Sequence, residues 1–163
     1  MSGYFEDLDP NGLNDFQRRV VGDFSAILSS VGVGPARTHA RWERGRPPLL
    51  WLTVDHNDRP EYNLDIVVET GSVVVNLGPA HEHFGYGEPD PEVEEAISFI
   101  ESVLIGAVEL DLTLRGRTVV KTEIFLTEGA GDRRRVSAEA SILALVLAPF
   151  LRRRRLTERI SFV

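Results

Sequence analysis

The 163-residue chain has no cysteine, one methionine, and a single lysine (Lys121) beside seventeen arginines. The missing cysteines exclude disulfides, thiolate zinc centres and cysteine nucleophiles, and fit a reducing compartment. Long hydrophobic runs are also missing. The longest, Ile142–Leu151, is about half of the roughly 18 residues that span a bilayer, so it predicts a buried helix. Met1–Asp7 is acidic and lacks the basic and apolar regions of a secretory signal. The expectation is a cytoplasmic protein with no membrane association.

Positive charge is the scarcer sign. A formal net charge of −7 disfavours a general nucleic-acid binder and favours a cationic partner. What positive charge there is clusters at Arg133–Arg135 and Arg152–Arg155. Either run can form a phosphate-binding patch; a solvated turn and a charge-protected strand edge are the simpler readings. With 42% apolar and 26% charged residues, the composition is that of a folded domain. The length suits one domain spanning 1–163, with residues 1–12 a flexible lead.

Local patterns predict an α+β fold, with an antiparallel sheet of about six strands (a meander plus a hairpin) and three helices. Asn14 caps a first helix to about Ser30, whose apolar face carries Phe16, Val20, Phe24, Ile27, Leu28 and Val31. Gly32 and Gly34-Pro35 end it. Thr38–Glu43, Leu49–Val54, Tyr62–Val68 and Ser72–Leu77 read as strands joined too closely for parallel crossovers. Asp90 is the expected cap of a second helix, Pro91–Leu104, with Pro91 at its first position and Glu92, Glu94 and Glu95 opposing the helix dipole. Val108–Leu114 and Thr118–Leu126 form a hairpin about Arg115-Gly116-Arg117. Glu128–Arg135 reads as a polar loop, Ser137–Ala148 as a third helix, and Arg159–Phe162 as a last strand. Trp42 and Trp51 are expected in the core.

His81-Glu82-His83-Phe84-Gly85 is the segment most suggestive of chemistry. In extended backbone, His81 and His83 project to one side and can share a metal, with Glu88, His56 or Asp55 as a third ligand. The spacing to Glu88 copies part of the cupin metal motif. However, Val75 stands where that motif has glycine, and its second histidine segment is missing. The pair does not have zincin spacing, the chain lacks the cysteines of a nucleobase deaminase, and no nucleophile elbow is present. The simpler reading has both histidines at the surface or bonded to backbone. Phe84 and Tyr86, in a glycine-rich loop, are candidate partner anchors. Glu88, Asp90, Glu92, Glu94 and Glu95 make an acidic ridge beside them.

The run from Val73–Leu77 through His81-Glu82-His83-Phe84, the helix Ile97–Gly106 and the hairpin at Arg115-Gly116-Arg117 resembles the small bacterial α+β immunity proteins of polymorphic toxin systems and their uncharacterised relatives. The resemblance covers about the middle third of the chain. It departs from the pattern at Pro79-Ala80, where a tryptophan is missing, and it does not reach the first 60 residues or the arginine-rich end. It implies a non-enzymatic inhibitor, without cofactor, that occludes a toxin with a cationic surface. Phe84, Tyr86, Glu88, Asp90, Glu92, Glu94 and Glu95 would form its partner-binding surface. Two other classes stand beside it: a metal-dependent enzyme centred on His81 and His83, and a structural or interaction domain that self-associates as a homodimer.

Overall fold

A computed structural model of the chain describes residues 3–43, 48–85, 89–106, 108–128, 132–140 and 152–163. Helix α1 (Asp15–Ser30) opens with a reciprocal cap. The Asn14 side chain accepts from the Gln17 N–H, and the Gln17 side chain accepts from the Asn14 N–H. Two orphan donors of the first turn are thereby satisfied. Its inward stripe, Val20, Phe24 and Leu28, is fully buried.

A five-stranded antiparallel meander follows: β1 (Thr38–Glu43), β2 (Leu49–Val54), β3 (Leu64–Val68), β4 (Val73–Leu77) and β5 (Ala80–Phe84). β5 adds a strand that the expected meander did not include, and it places Phe84 at a strand end and not in a glycine-rich loop. Gly78 at φ 58° opens the tight connection after β4, and a Cβ there would lie 2.8 Å from the Tyr62 ring. Leu50, Leu52, Leu64, Ile66, Val73, Val75 and Leu77 alternate onto the core face. Helix α2 (Pro89–Leu104) starts at or before Pro89, so Asp90 is a first-turn residue and not the expected cap. The apolar recurrence of Val93, Ala96, Ile97, Ile100 and Leu104 predicts a buried stripe; all but Ile97, which is half-buried, are buried, and Phe99 and Val103 join them.

The second sheet has four strands in the order β8-β7-β6-β9, from β6 (Val108–Arg115), β7 (Thr118–Glu128), β8 (Asp132–Ala140) and β9 (Arg153–Ile160). The single six-stranded sheet is therefore replaced by two sheets. Asp132–Arg135 is strand where a loop was expected. Ser137–Ala140 is strand where a third helix was to begin, and the remainder of that helix, like Ile142–Leu151, lies outside the described residues. The last strand starts six residues earlier than expected and pairs with β6, not with its chain neighbour β8. One hydrophobic cluster joins both helices and both sheets, with Phe5 and Phe162 among its members.

Phe162 closes that cluster at the end of the chain. Its N–H donates to the Leu104 carbonyl (3.3 Å), and its carbonyl accepts from Arg37 (2.8 Å). Arg59 reaches Glu158 of β9 at 2.8 Å while lying over the Tyr62 ring. Neither tryptophan is core. Trp42 sits 39% exposed on edge strand β1, and Trp51 lies on the outer face of the first sheet under the Arg41 guanidinium. An edge strand and an outward register position keep both rings out of the core cluster, and Trp51 is half-buried on the outer face.

The outer face of the second sheet is held by charge. Asp111 and Glu123 are direct cross-strand partners, only 4% and 8% exposed. Like charges so placed repel, and burial raises the cost. Cations from three strands offset it. Arg133 lies 3.3 Å from Asp111 and 2.9 Å from Glu109. Arg155 lies 3.1 Å from Asp111 and 3.7 Å from Glu123. Lys121 lies 2.8 Å from Glu123, and Arg135 lies 3.4 Å from it. Burial alone would raise the Asp111 pKa, but the Thr157 hydroxyl (2.6 Å), Arg133 and Arg155 outweigh it and hold it below the usual carboxylate value. Lys121, with Arg135 and Arg155, does the same for Glu123 against its burial.

Both carboxyls have folded pKa values below their unfolded ones, so their stabilisation is complete above the unfolded values and is lost as pH falls through the folded ones. The melting temperature is expected to decline below about pH 4.5. A D111N/E123Q variant is expected to melt lower than the parent at pH 7, with the gap closing as the solution is acidified. A gap independent of pH in thermal melts would show that the two carboxylates do not carry the effect.

Candidate functional site

A depression lies where β5, α2, β7 and β8 meet, with a cavity volume of about 580 Å³. Phe84, Phe99, Leu126 and Val136 supply its apolar lining. Glu94, Glu95 and Ser98 stand on the α2 side, and Arg134 on the β8 side. Each lining residue follows from local structure. Phe84 is the last residue of β5 and points with Ala80 toward the core side. Gly85, at φ 103°, then turns the chain away; a Cβ there would lie 2.5 Å from the Gly71 carbonyl. Phe99 is one helical turn beyond Glu95, and its ring tilts against Phe84 with centroids 5.8 Å apart. Leu126 and Arg134 are cross-strand partners on the same face of the second sheet.

Three expected partner-binding residues, Phe84, Glu94 and Glu95, therefore converge on one groove. Asp90 and Glu92 are on the first turn of α2, but their side chains, like all of Tyr86 and Glu88, lie outside the described residues. Phe84 was expected as an exposed anchor. It is half-buried, packed on the core and lining the groove at once. Phe99, Leu126 and Val136 were not foreseen as site residues, and Arg134 was considered only within the Arg133–Arg135 run as a phosphate-binding patch. For Phe99 a signal existed, an aromatic on the flank of the helix stripe four residues after Glu95. For Val136 none did, since its segment does not read as a strand.

The histidines are elsewhere. The register aligns His39, Thr53, Asp65, Asn76 and His81 in one row across the outer face of the first sheet, with His83 in the next row beside Val74. The His81 and His83 rings meet edge to face, 4.9 Å apart. Asp55 and His56 follow the end of β2, three strand spacings or about 14 Å from β5, so they do not join that pair. Asp55 instead contacts the His39 Nε2 at 2.9 Å and accepts from the Asn63 amide at 2.9 Å, and the His56 Nδ1 accepts the Asp58 and Arg59 N–H groups at 3.2 Å. Among the described residues, no three histidine, aspartate or glutamate side chains are grouped to hold a metal ion. Glu88, the other expected ligand, is outside them.

One atom near the groove is unsatisfied. Glu82 precedes Phe84 by one strand repeat on the same side of β5, and its Oε2 is buried with no hydrogen-bond partner. A buried carboxylate oxygen without a donor carries a free-energy cost. Among the described residues, no helix is long and apolar enough to cross a membrane. No protein family, curated protein or solved structure matches the chain.

A fully buried phenylalanine truncated to alanine costs about 3–5 kcal/mol. Phe84→Ala removes a half-buried ring with one aromatic neighbour, and is expected to cost about 1–2 kcal/mol, leaving a cooperative melt. Denaturant unfolding tests this. A loss as large as that of Phe24→Ala would make Phe84 a core residue with no surplus for a partner.

Proposed function

We propose that this protein is a non-enzymatic binding protein that neutralises a cationic partner, in the manner of a bacterial immunity protein, through the groove between α2 and β8. The observation that carries the reading is the convergence of Phe84 and Phe99 with the exposed carboxylates Glu94 and Glu95 on one concavity. Interfaces draw most of their affinity from a few aromatic anchors in a desolvated centre, with charge at the rim governing approach. This groove has both parts. The net charge of −7 extends the attraction beyond contact distance. The order of strand, His-Glu-His-Phe segment, acidic helix, glycine (Gly106) and glycine-centred hairpin agrees with the immunity-protein resemblance, with the His-Glu-His-Phe segment a strand.

A growth assay tests the reading. The open reading frame adjacent to this gene is expressed alone and then together with this protein. The neighbour is expected to arrest growth alone, and co-expression to restore it with the two chains co-purifying. An E94R/E95R variant is expected to slow association at least 10-fold at low salt. Phe84→Ala is expected to weaken binding by about 2 kcal/mol, or roughly 30-fold, chiefly through faster dissociation. A harmless neighbour, or rescue by a variant carrying all three changes, would sink the proposal.

A further inference from the structure

Four strands end the two sheets, and their outer edges differ in charge. β8 and β9 each carry three consecutive exposed arginines, a run that guards an edge against another strand. β5 runs beside β7, where the Thr122 hydroxyl donates to the Pro79 carbonyl at 3.4 Å. β1 is different: exposed Arg41 and exposed Glu43 stand on either side of Trp42. Register settles which of its backbone groups are free. The Asp55 N–H donates to the Arg37 carbonyl (2.9 Å), and the Glu69 N–H to the Ser72 carbonyl (3.0 Å). Counted by twos along the antiparallel ladders, both bonds make His39, Arg41 and Glu43 the residues bonded to β2. The N–H and C=O groups of Ala40 and Trp42 therefore point off the edge.

The two ends of β1 are not equally open. At the Thr38 end, the Phe5 N–H lies 3.4 Å from the Thr38 hydroxyl oxygen, and Gly3, Glu6 and Asp7 gather beside it. At the other end Trp42 is 39% exposed, although it shares a face with fully buried Leu50. Arg41 lies over the Trp51 ring; among the described residues it meets no carboxylate, and Glu43 meets no cation. One short stretch of edge thus presents an aromatic, outward backbone groups and two charges of opposite sign.

We propose that β1 pairs antiparallel with β1 of a second copy about a twofold axis at Trp42, joining the two five-stranded sheets of a homodimer edge to edge. The side chains choose that register. An axis at His39 or Ala40 runs the second strand over the covered Thr38 end. An axis at Arg41 or Glu43 sets like charges face to face. With the axis at Trp42, the Trp42 N–H of each copy donates to the Trp42 carbonyl of the other, and the two indoles meet. Arg41 of each copy then faces Glu43 of the other, twice by symmetry, because Arg41-Trp42-Glu43 laid against itself matches each charge with its opposite. The contact does not rest on the groove, which lies at β5, four strand spacings or about 19 Å across the first sheet.

A contact this small belongs with weak, reversible interfaces, so the test is sedimentation velocity of the full chain from about 5 to 500 µM. The sedimentation coefficient is expected to climb with concentration from monomer toward dimer. E43R sets a guanidinium opposite Arg41 and should weaken association by about 10-fold or more at low salt. R41E/E43R exchanges the two charges and should recover association to within about 3-fold of the parent, which an axis at Arg41 would not produce. Hydrogen exchange gives a second readout. The Trp42 amide should gain protection as concentration rises, whereas those of Arg41 and Glu43, already bonded to β2, should not. The E94R/E95R variant should dimerise as the parent does, so failure of this inference and failure of the groove reading are told apart. A monomer at the highest concentration, a dimer that E43R leaves unchanged, a charge exchange that restores nothing, or a Trp42 amide indifferent to concentration would each overturn the proposal.

Discussion

The second sheet depends on one unfavourable pairing made tolerable: two carboxylates side by side on its central strands, almost out of water. Asp111 and Glu123 cannot both stay ionised there unless cations from neighbouring positions reach them, and those come from β7, β8 and β9. Each outer strand is therefore bound to the central hairpin twice, by its ladder and by guanidinium–carboxylate contacts. Replacing the carboxylates with apolar residues would spare the desolvation cost but leave the outer strands interchangeable in charge. As built, β8 and β9 are distinguished by where their arginines fall, and a shift of either strand by one residue would turn those arginines to the opposite face.

Net charge describes this molecule poorly. An excess of seven negative charges is the sum of an acidic approach to α2 and a basic end on β6 and β9, with a near-neutral network of arginine and carboxylate between them. The sheet acts as a rigid spacer between the two poles. Charge of opposite sign is thus concentrated in different parts of the molecule.

Much of the first half was legible in the residues. Asn14 with Gln17, the helical recurrence of Val20, Phe24 and Leu28, and the alternation from Leu49 to Leu77 are local signals, and local signals produced α1 and the meander. β8 escaped because Asp132–Arg135 offers no apolar alternation; its strand character comes from pairing with β7 and from the carboxylates opposite. β5 escaped because histidine and glutamate occupy both of its faces. Two sheets in place of one could not be read at all. The partition rests on β9 choosing β6 across about forty residues, and nothing in either strand's own pattern names its neighbour. The same holds for the site. Phe84 and the α2 carboxylates stood out by type, while Leu126 and Val136 became part of it only through tertiary placement.

The position of Phe162 has a bearing on how the chain acquires its structure. Its carbonyl is gripped by Arg37, 125 residues earlier, and its ring is fully enclosed by the first-formed elements. Contacts so distant along the chain are slow to form, because the intervening loop must close before they repay its entropy. During synthesis the meander and both helices can assemble while β9 is still inside the ribosome, leaving a vacancy at the core and β6 with an unsatisfied edge. Until β9 pairs with β6, the core lacks Ile160 and Phe162, two side chains with almost no exposure in the finished fold.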